Sequence, residues 1–109
     1  MTKSKSNFTQ IIEYYASRKV GEVVFRADLK SNIDSYSYSS IDNTRRKLQI
    51  GEYICTDYEI GSYRILKQIP VDLTSAQLNW LAYPHRYKIT KEQLRPEWKS
   101  IYLKRNFGL

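Results

Sequence analysis

The stretch 53–69 restricts this chain more than any other. Tyr53-Ile54-Cys55-Thr56 is a largely apolar run, Asp57-Tyr58-Glu59-Ile60-Gly61 is a five-residue turn, and residues 62–69 alternate. In the alternating run Tyr63, Ile65, Lys67 and Ile69 share one face, with Arg64, Leu66 and Gln68 on the other. Two such runs around a glycine-bearing turn predict an antiparallel hairpin, which Pro70 stops. Most of the surrounding sequence has helical periodicity instead. The expected fold class is therefore α+β and mostly helical.

Upstream, Phe8, Ile11, Ile12 and Tyr15 recur at i, i+3, i+4 and i+7. That spacing predicts a first helix over 8–18, with Asn7 as its N-cap and Gly21 beyond its end. Val23-Val24-Phe25 predicts one short strand, and Leu29 and Ile33 mark a second helix over 27–33. Asp34-Ser35-Tyr36-Ser37 reads as a turn. Ser39 opens a third helix, since Ser39 and Asp42 have the spacing of a capping box. Ile41 and Leu48 give that helix its buried line, and Gly51 breaks it. Downstream, Thr74 caps a helix over 75–82 that carries Leu78, Trp80 and Leu81. Tyr83-Pro84-His85 is a break, and Thr90 with Gln93 caps a further turn. Pro96 belongs in the first turn of a last helix over 96–106, which buries Leu94, Trp98 and Ile101.

At 109 residues the chain has room for one modest core. One cysteine, Cys55, forms no internal disulfide and is expected to be buried and inert on its strand. With one histidine beside it in the inventory, a protein-only zinc site is not expected, and neither is any other metal or cofactor. No apolar run is long enough to span a membrane, and the segment MTKSKSNF has no apolar signal region, so a cytoplasmic location is expected. There is no glycine-rich phosphate loop, HExxH, CxxC or GxSxG, and His85 has no evident catalytic partner. An enzyme is not expected.

The formal net charge is +7, from 18 Lys and Arg against 11 Asp and Glu. Residues 83–109 hold seven cations and two anions; residues 1–82 hold 11 cations and nine anions. A basic tail is thus joined to a nearly balanced body, which favours an anionic partner.

The order helix, strand, helix, turn, helix, hairpin, together with the stretch SSIDNTRRKLQIGEYI, resembles the winged helix-turn-helix superfamily over residues 8–69. In that superfamily an apolar residue, a leucine seven positions on and an apolar pair entering the hairpin recur. Here these are Ile41, Leu48 and Tyr53-Ile54. One departure is that Glu52 stands between Gly51 and the apolar pair, which shifts the expected helix end by one residue. The resemblance implies that the second and third helices form the helix-turn-helix, that the hairpin is the wing, and that 23–25 is a small third strand. The expected organisation is a flexible arm over 1–7, the winged domain over 8–70, and a basic helical C-terminal extension over 71–109 packed on the same domain.

With Ile41 and Leu48 inward, a step of about 100° per residue turns Ser39, Asn43 and Arg46 outward. Ser40 and Lys47 lie on one shoulder, Asp42 on the other, and Arg45 at the core edge with its stem packed. These side-chain types reach phosphates and base edges, and a helix fits the major groove of duplex DNA. Candidate DNA-binding residues are therefore Ser39, Ser40, Asn43, Arg45, Arg46 and Lys47, with Arg64 and Lys67 on the hairpin. Arg18, Lys19 and Arg26 sit at helix ends, where they reach flanking phosphates or simply complement helix dipoles. In the tail, Arg86, Lys88, Lys91, Arg95 and Lys99 are interleaved with aromatic residues and form a candidate second basic surface.

The leading expectation is a small non-enzymatic protein that binds double-stranded DNA with its third helix, a transcriptional regulator of the bacterial nucleoid or of a phage-infected cell. The style of the sequence resembles small phage proteins. A homodimer through Trp80 and Trp98 of the C-terminal helices is the expected assembly. The competing expectation is a winged-helix module for protein interaction or assembly. It rests on the acidic hairpin tip and the two tryptophans, and treats the helix cations as a solvated face.

Overall fold

A computed structural model describes residues 6–33 and 38–108. The first five residues of the expected arm and the turn expected at 34–37 lie outside the described residues. The elements are α1 (Asn7–Ala16), β1 (Val23–Phe25), α2 (Arg26–Asn32), α3 (Tyr38–Ile50), β2 (Ile54–Thr56), β3 (Ser62–Ile65), α4 (Ser75–Ala82) and α5 (Lys99–Phe107). Two single 3₁₀ turns, Lys91–Gln93 and Pro96–Trp98, lead into α5. The architecture is α+β and mostly helical, as the periodicities predict.

The hairpin forms where alternation places it, with Ile54 opposite Ile65 and Thr56 opposite Tyr63. β1 pairs antiparallel with the other edge of β3, Val24 opposite Tyr63, so the sheet order is β1-β3-β2. β3 ends at Ile65, earlier than the alternation suggests. The alternation of burial continues past it to Leu66, but Lys67 and Gln68 are both exposed before Ile69 turns inward.

Several boundaries differ from the sequence expectation for identifiable reasons. Ser6, not Asn7, caps α1, its hydroxyl accepting from the Thr9 amide at 3.1 Å. Both residue types are good caps, and the choice fell to the one that leaves Asn7 inside the first turn. α1 closes at Ala16, and Gly21 then takes a φ of +93°. α3 starts at Tyr38, so Ser39 lies in its first turn and no Ser39–Asp42 capping box forms. Asp42 instead accepts from Arg26 Nη1 at 3.0 Å, tying α2 to α3. Cys55 is half-buried rather than buried.

The end of α3 explains the departure at Glu52. The Tyr53 amide donates to Leu48 O at 3.1 Å and the Glu52 amide to Gln49 O at 3.0 Å. This is a Schellman closure, in which the residue before Tyr53 must be left-handed. Glu52 takes that role, with φ of +63°. Gly51 is needed for another reason. A Cβ there would meet the Tyr53 ring at 3.0 Å and Leu81 at 3.4 Å, so glycine permits α4 and the hairpin entry to close on the helix end.

The core runs through both the body and the tail. Ile11, Tyr15, Leu29, Ile41, Leu48 and Ile65 join Leu78, Leu81, Trp98 and Ile101 in one buried cluster. Trp98 Nε1 donates to the Tyr53 hydroxyl at 2.9 Å, and the two rings meet edge to face with centroids 6.4 Å apart. Trp98 is 1% exposed, so it is consumed by its own chain and offers nothing to a second copy; Trp80 packs half-buried against the same cluster.

α4 carries the clearest capping signal of the sequence. The Thr74 hydroxyl accepts from the Gln77 amide at 3.1 Å, and Gln77 Oε1 accepts from the Thr74 amide at 3.2 Å. Thr74→Ala is expected to cost about 1 kcal/mol in urea unfolding, the usual worth of a lost N-cap. A value indistinguishable from wild type would show that tertiary packing alone holds the α4 start.

Candidate nucleic-acid interface

Burial fixes how α3 is rotated. Ile41 and Leu48 are fully buried, which is worth about 3–6 kcal/mol together. Surface charge pairs are worth under ~1 kcal/mol, so the apolar pair sets the rotation and the cations follow. Ser39, Asn43 and Arg46 accordingly form the exposed line, with Ser40 and Lys47 half-buried beside it. Arg45 lies at the core edge as expected. Its guanidinium stands 5.0 Å from the Tyr63 ring centroid and donates to Gln49 Oε1 at 3.0 Å.

The tail then meets this face. α4 runs along α3, and Tyr83 at its end receives a hydrogen bond from Arg46 Nη2, with the guanidinium 5.6 Å from its ring centroid. The Tyr83 hydroxyl is held below the ordinary phenol range, first by that hydrogen bond and further by the charges of Arg46, Lys47 and Arg86. Partial desolvation acts the other way and loses. The charges of two adjacent α3 cations and of Arg86 in the tail thus all act on one tyrosine.

Two clefts open around this point. The larger, about 470 Å³, lies between α3 and α5 and is lined by Arg45, Arg46, Gln49, Ile50, Ile101, Lys104 and Arg105 and by one carboxylate, that of Glu52. The smaller, about 290 Å³, lies between the turn at 83–86 and the end of α5 and is lined by Tyr83, Pro84, His85, Arg86, Arg105 and Asn106, with Ala82 at its base. Arg105 lines both, so the two are adjacent. Among the described residues, Arg46, Lys47, Arg86 and Arg105 form no ion pair with a carboxylate.

Other candidates are already occupied. Arg64 donates to Asp57 Oδ1 from Nε and Nη2, at 3.2 and 2.9 Å, and to Gly21 O at 2.8 Å. It stitches the hairpin to the β1 approach. Lys67 pairs with Glu52 at 3.9 Å. Arg26 is held by Asp42, and Arg18 lies over the Tyr14 ring at 4.5 Å. Arg95 does not belong to an open basic surface. It bonds Glu97 at 2.6 Å, stands 3.6 Å from Asp72 and covers the Trp98 ring at 5.9 Å. Desolvation is the largest single influence on Glu97 and opposes its charge, but the Arg95 hydrogen bond, a backbone hydrogen bond, the Arg95 charge and the Tyr53 hydroxyl together outweigh it and hold that carboxyl below its ordinary value. Lys88, Lys91 and Lys99 are exposed and line neither cleft.

The structure therefore gathers Arg45, Arg46, Lys47 and Arg86 and brings Tyr83, Arg105 and Asn106 of the tail to them; Lys104 also lines the larger cleft but pairs with Glu52 at 3.4 Å. Tyr83 carried no signal of this role, because it sits 37 residues from Arg46 and nothing in the periodicity of either helix encodes their meeting. At the hairpin tip Tyr58 and Ile60 are fully exposed, and Phe25 lies beside Ile60 around a small hollow. Among the described residues no group of three or more His, Cys, Asp or Glu side chains is placed to hold a metal ion, and no helix is long and apolar enough to cross a membrane. Comparison of the chain with family models, curated proteins and solved structures gives no match.

Proposed function

We propose that this chain is a small non-enzymatic protein that binds double-stranded DNA through α3, in a winged helix-turn-helix arrangement, and acts as a transcriptional regulator. α2 and α3 are its helix-turn-helix, β2 and β3 its wing, and β1 the third strand. The element order and the β1-β3-β2 sheet support this assignment. The observation that carries the functional part is the outward line Ser39, Asn43 and Arg46, flanked by Lys47 and joined through Tyr83 to Arg86. Arg suits guanine, Asn suits adenine, and Ser and Lys suit phosphate. The wing takes no part in phosphate binding, since Arg64 and Lys67 are committed to Asp57 and Glu52.

Selection from a randomised duplex library tests this. Wild type is expected to enrich a defined site, and Asn43→Ala to relax one position of it by about 1–3 kcal/mol of discrimination. A library that leaves no duplex bound to the wild type would overturn the proposal. A second reading, a protein-interaction module, is favoured by the fully exposed Tyr58 and Ile60 at an acidic hairpin tip. Loss of partner binding by an Ile60→Asp chain that still bound DNA normally would assign the tip to protein.

A further inference from the structure

The tail was expected to present a broad basic surface. The geometry points to something narrower. We infer that the cleft between the turn at 83–86 and the end of α5 is a phosphate-binding subsite, and that its ligand is a backbone phosphodiester of the duplex engaged by α3. This rests on the DNA-binding proposal above and deepens it.

Four observations converge. The cleft is concave, about 290 Å³, which is room for a phosphate group and part of its sugar. Its polar lining residues are Arg86, Arg105, His85, Asn106 and Tyr83, with no carboxylate among them; the Asn106 amide already donates to Tyr102 O at 2.9 Å and the Tyr83 hydroxyl accepts from Arg46, which leaves the two arginines as its principal anion donors. Guanidinium forks match phosphate oxygens two at a time, whereas an ordinary solvated surface has no reason to exclude acids from a cleft. Neither arginine is spent on an ion pair among the described residues. The cleft also adjoins the α3 face, through Arg105 on one side and the Arg46–Tyr83 bond on the other.

The last point gives the subsite its role. Phosphate contacts fix the register of a protein on a duplex while base contacts specify the sequence. A strand whose bases meet Asn43 and Arg46 continues past the end of α4, where Arg86 and Arg105 grip its backbone. Tyr83 stands between the two regions as the positioning residue, holding Arg46 to the tail. A helix-turn-helix that lacks a cationic wing tip needs a backbone clamp elsewhere, and among the described residues this cleft brings two arginines without an ion pair to one concave site.

Two measurements on the intact chain test the inference. Inorganic phosphate is titrated while the arginine Nε–H resonances are followed by NMR; those of Arg86 and Arg105 are expected to shift saturably. Duplex binding is then compared for wild type, Arg86→Gln/Arg105→Gln and Lys88→Gln/Lys91→Gln. The second pair removes equal charge from exposed positions outside both clefts. The cleft variant is expected to bind about tenfold or more weakly with a salt slope shallower by about two, and the control to stay close to wild type. Absence of a phosphate response overturns the subsite. A saturable response with a cleft variant equal to the control overturns the assignment to the duplex backbone. If wild type binds no duplex, the DNA-binding proposal falls, and the phosphate titration alone still decides whether the subsite exists.

Discussion

Trp98→Ala is expected to destabilise the protein by about 3–5 kcal/mol in urea unfolding. The indole is 1% exposed and joins the tail to the body. Its removal opens a cavity against the core, where such truncations of large side chains are costly because neighbours collapse only partly. It also leaves the Tyr53 hydroxyl, now bonded at 2.9 Å, with only the long contact of 3.5 Å to Glu97. Against a total of about 5–15 kcal/mol for an ordinary domain, that loss takes about a fifth or more of the stability. A cost under 1 kcal/mol would show that the tail is a loosely attached appendage rather than part of one core.

The second large effect is on binding. Arg46→Ala/Lys47→Ala is expected to weaken duplex affinity about 10–100-fold while changing stability by less than about 0.5 kcal/mol. Arg46 is exposed, Lys47 lies on the shoulder of the exposed line, and neither contributes to the apolar cluster, so the fold has no stake in them. The bond to Tyr83 is a surface contact and its loss costs little. A guanidinium reading guanine supplies about 1–3 kcal/mol of discrimination, and each phosphate contact adds salt-sensitive affinity. A double variant that unfolds, or that binds as tightly as wild type, would place the DNA-reading element elsewhere.

The elements were legible wherever periodicity and a local cap agreed. The Thr74–Gln77 box opens α4 at the predicted residue, Val23–Phe25 is the predicted strand, and Leu94, Trp98 and Ile101 are buried as expected, although α5 starts only at Lys99 and the first two reach the core from the 3₁₀ segment before it rather than from one helical stripe. Boundaries slipped where two residues could do the same work. Ser6 and Asn7 are both good caps, and α3 begins at Tyr38, which puts Ser39 inside the first turn and leaves Asp42 to pair with Arg26. Gly51 looked like a helix breaker, yet the left-handed residue is Glu52 and the glycine is there for close approach.

The outward face of α3 was equally legible, because it follows from burial of Ile41 and Leu48. Membership of the rest of the site was not. Arg64, Lys67 and Arg95 have the composition of phosphate ligands, but the fold brings Asp57 to Arg64, Glu52 to Lys67 and Asp72 to Arg95, and Arg95 also has its sequence neighbour Glu97 in reach. Arg86 and Arg105 became neighbours because the turn at 83–86 packs against the end of α5. That contact depends on how α4 and α5 pack around Trp98, and no spacing along the chain encodes it.

The most direct measurement is the affinity of wild type and Arg46→Ala/Lys47→Ala for a short random-sequence duplex and for its single strand, between about 50 and 200 mM salt. If α3 reads duplex DNA, wild type prefers the duplex, its affinity falls steeply with salt, and the double variant binds more weakly with a slope shallower by about one to two. Equal affinity and slope for the two proteins, or no duplex binding by wild type, would contradict that placement and make the helix cations an ordinary solvated face.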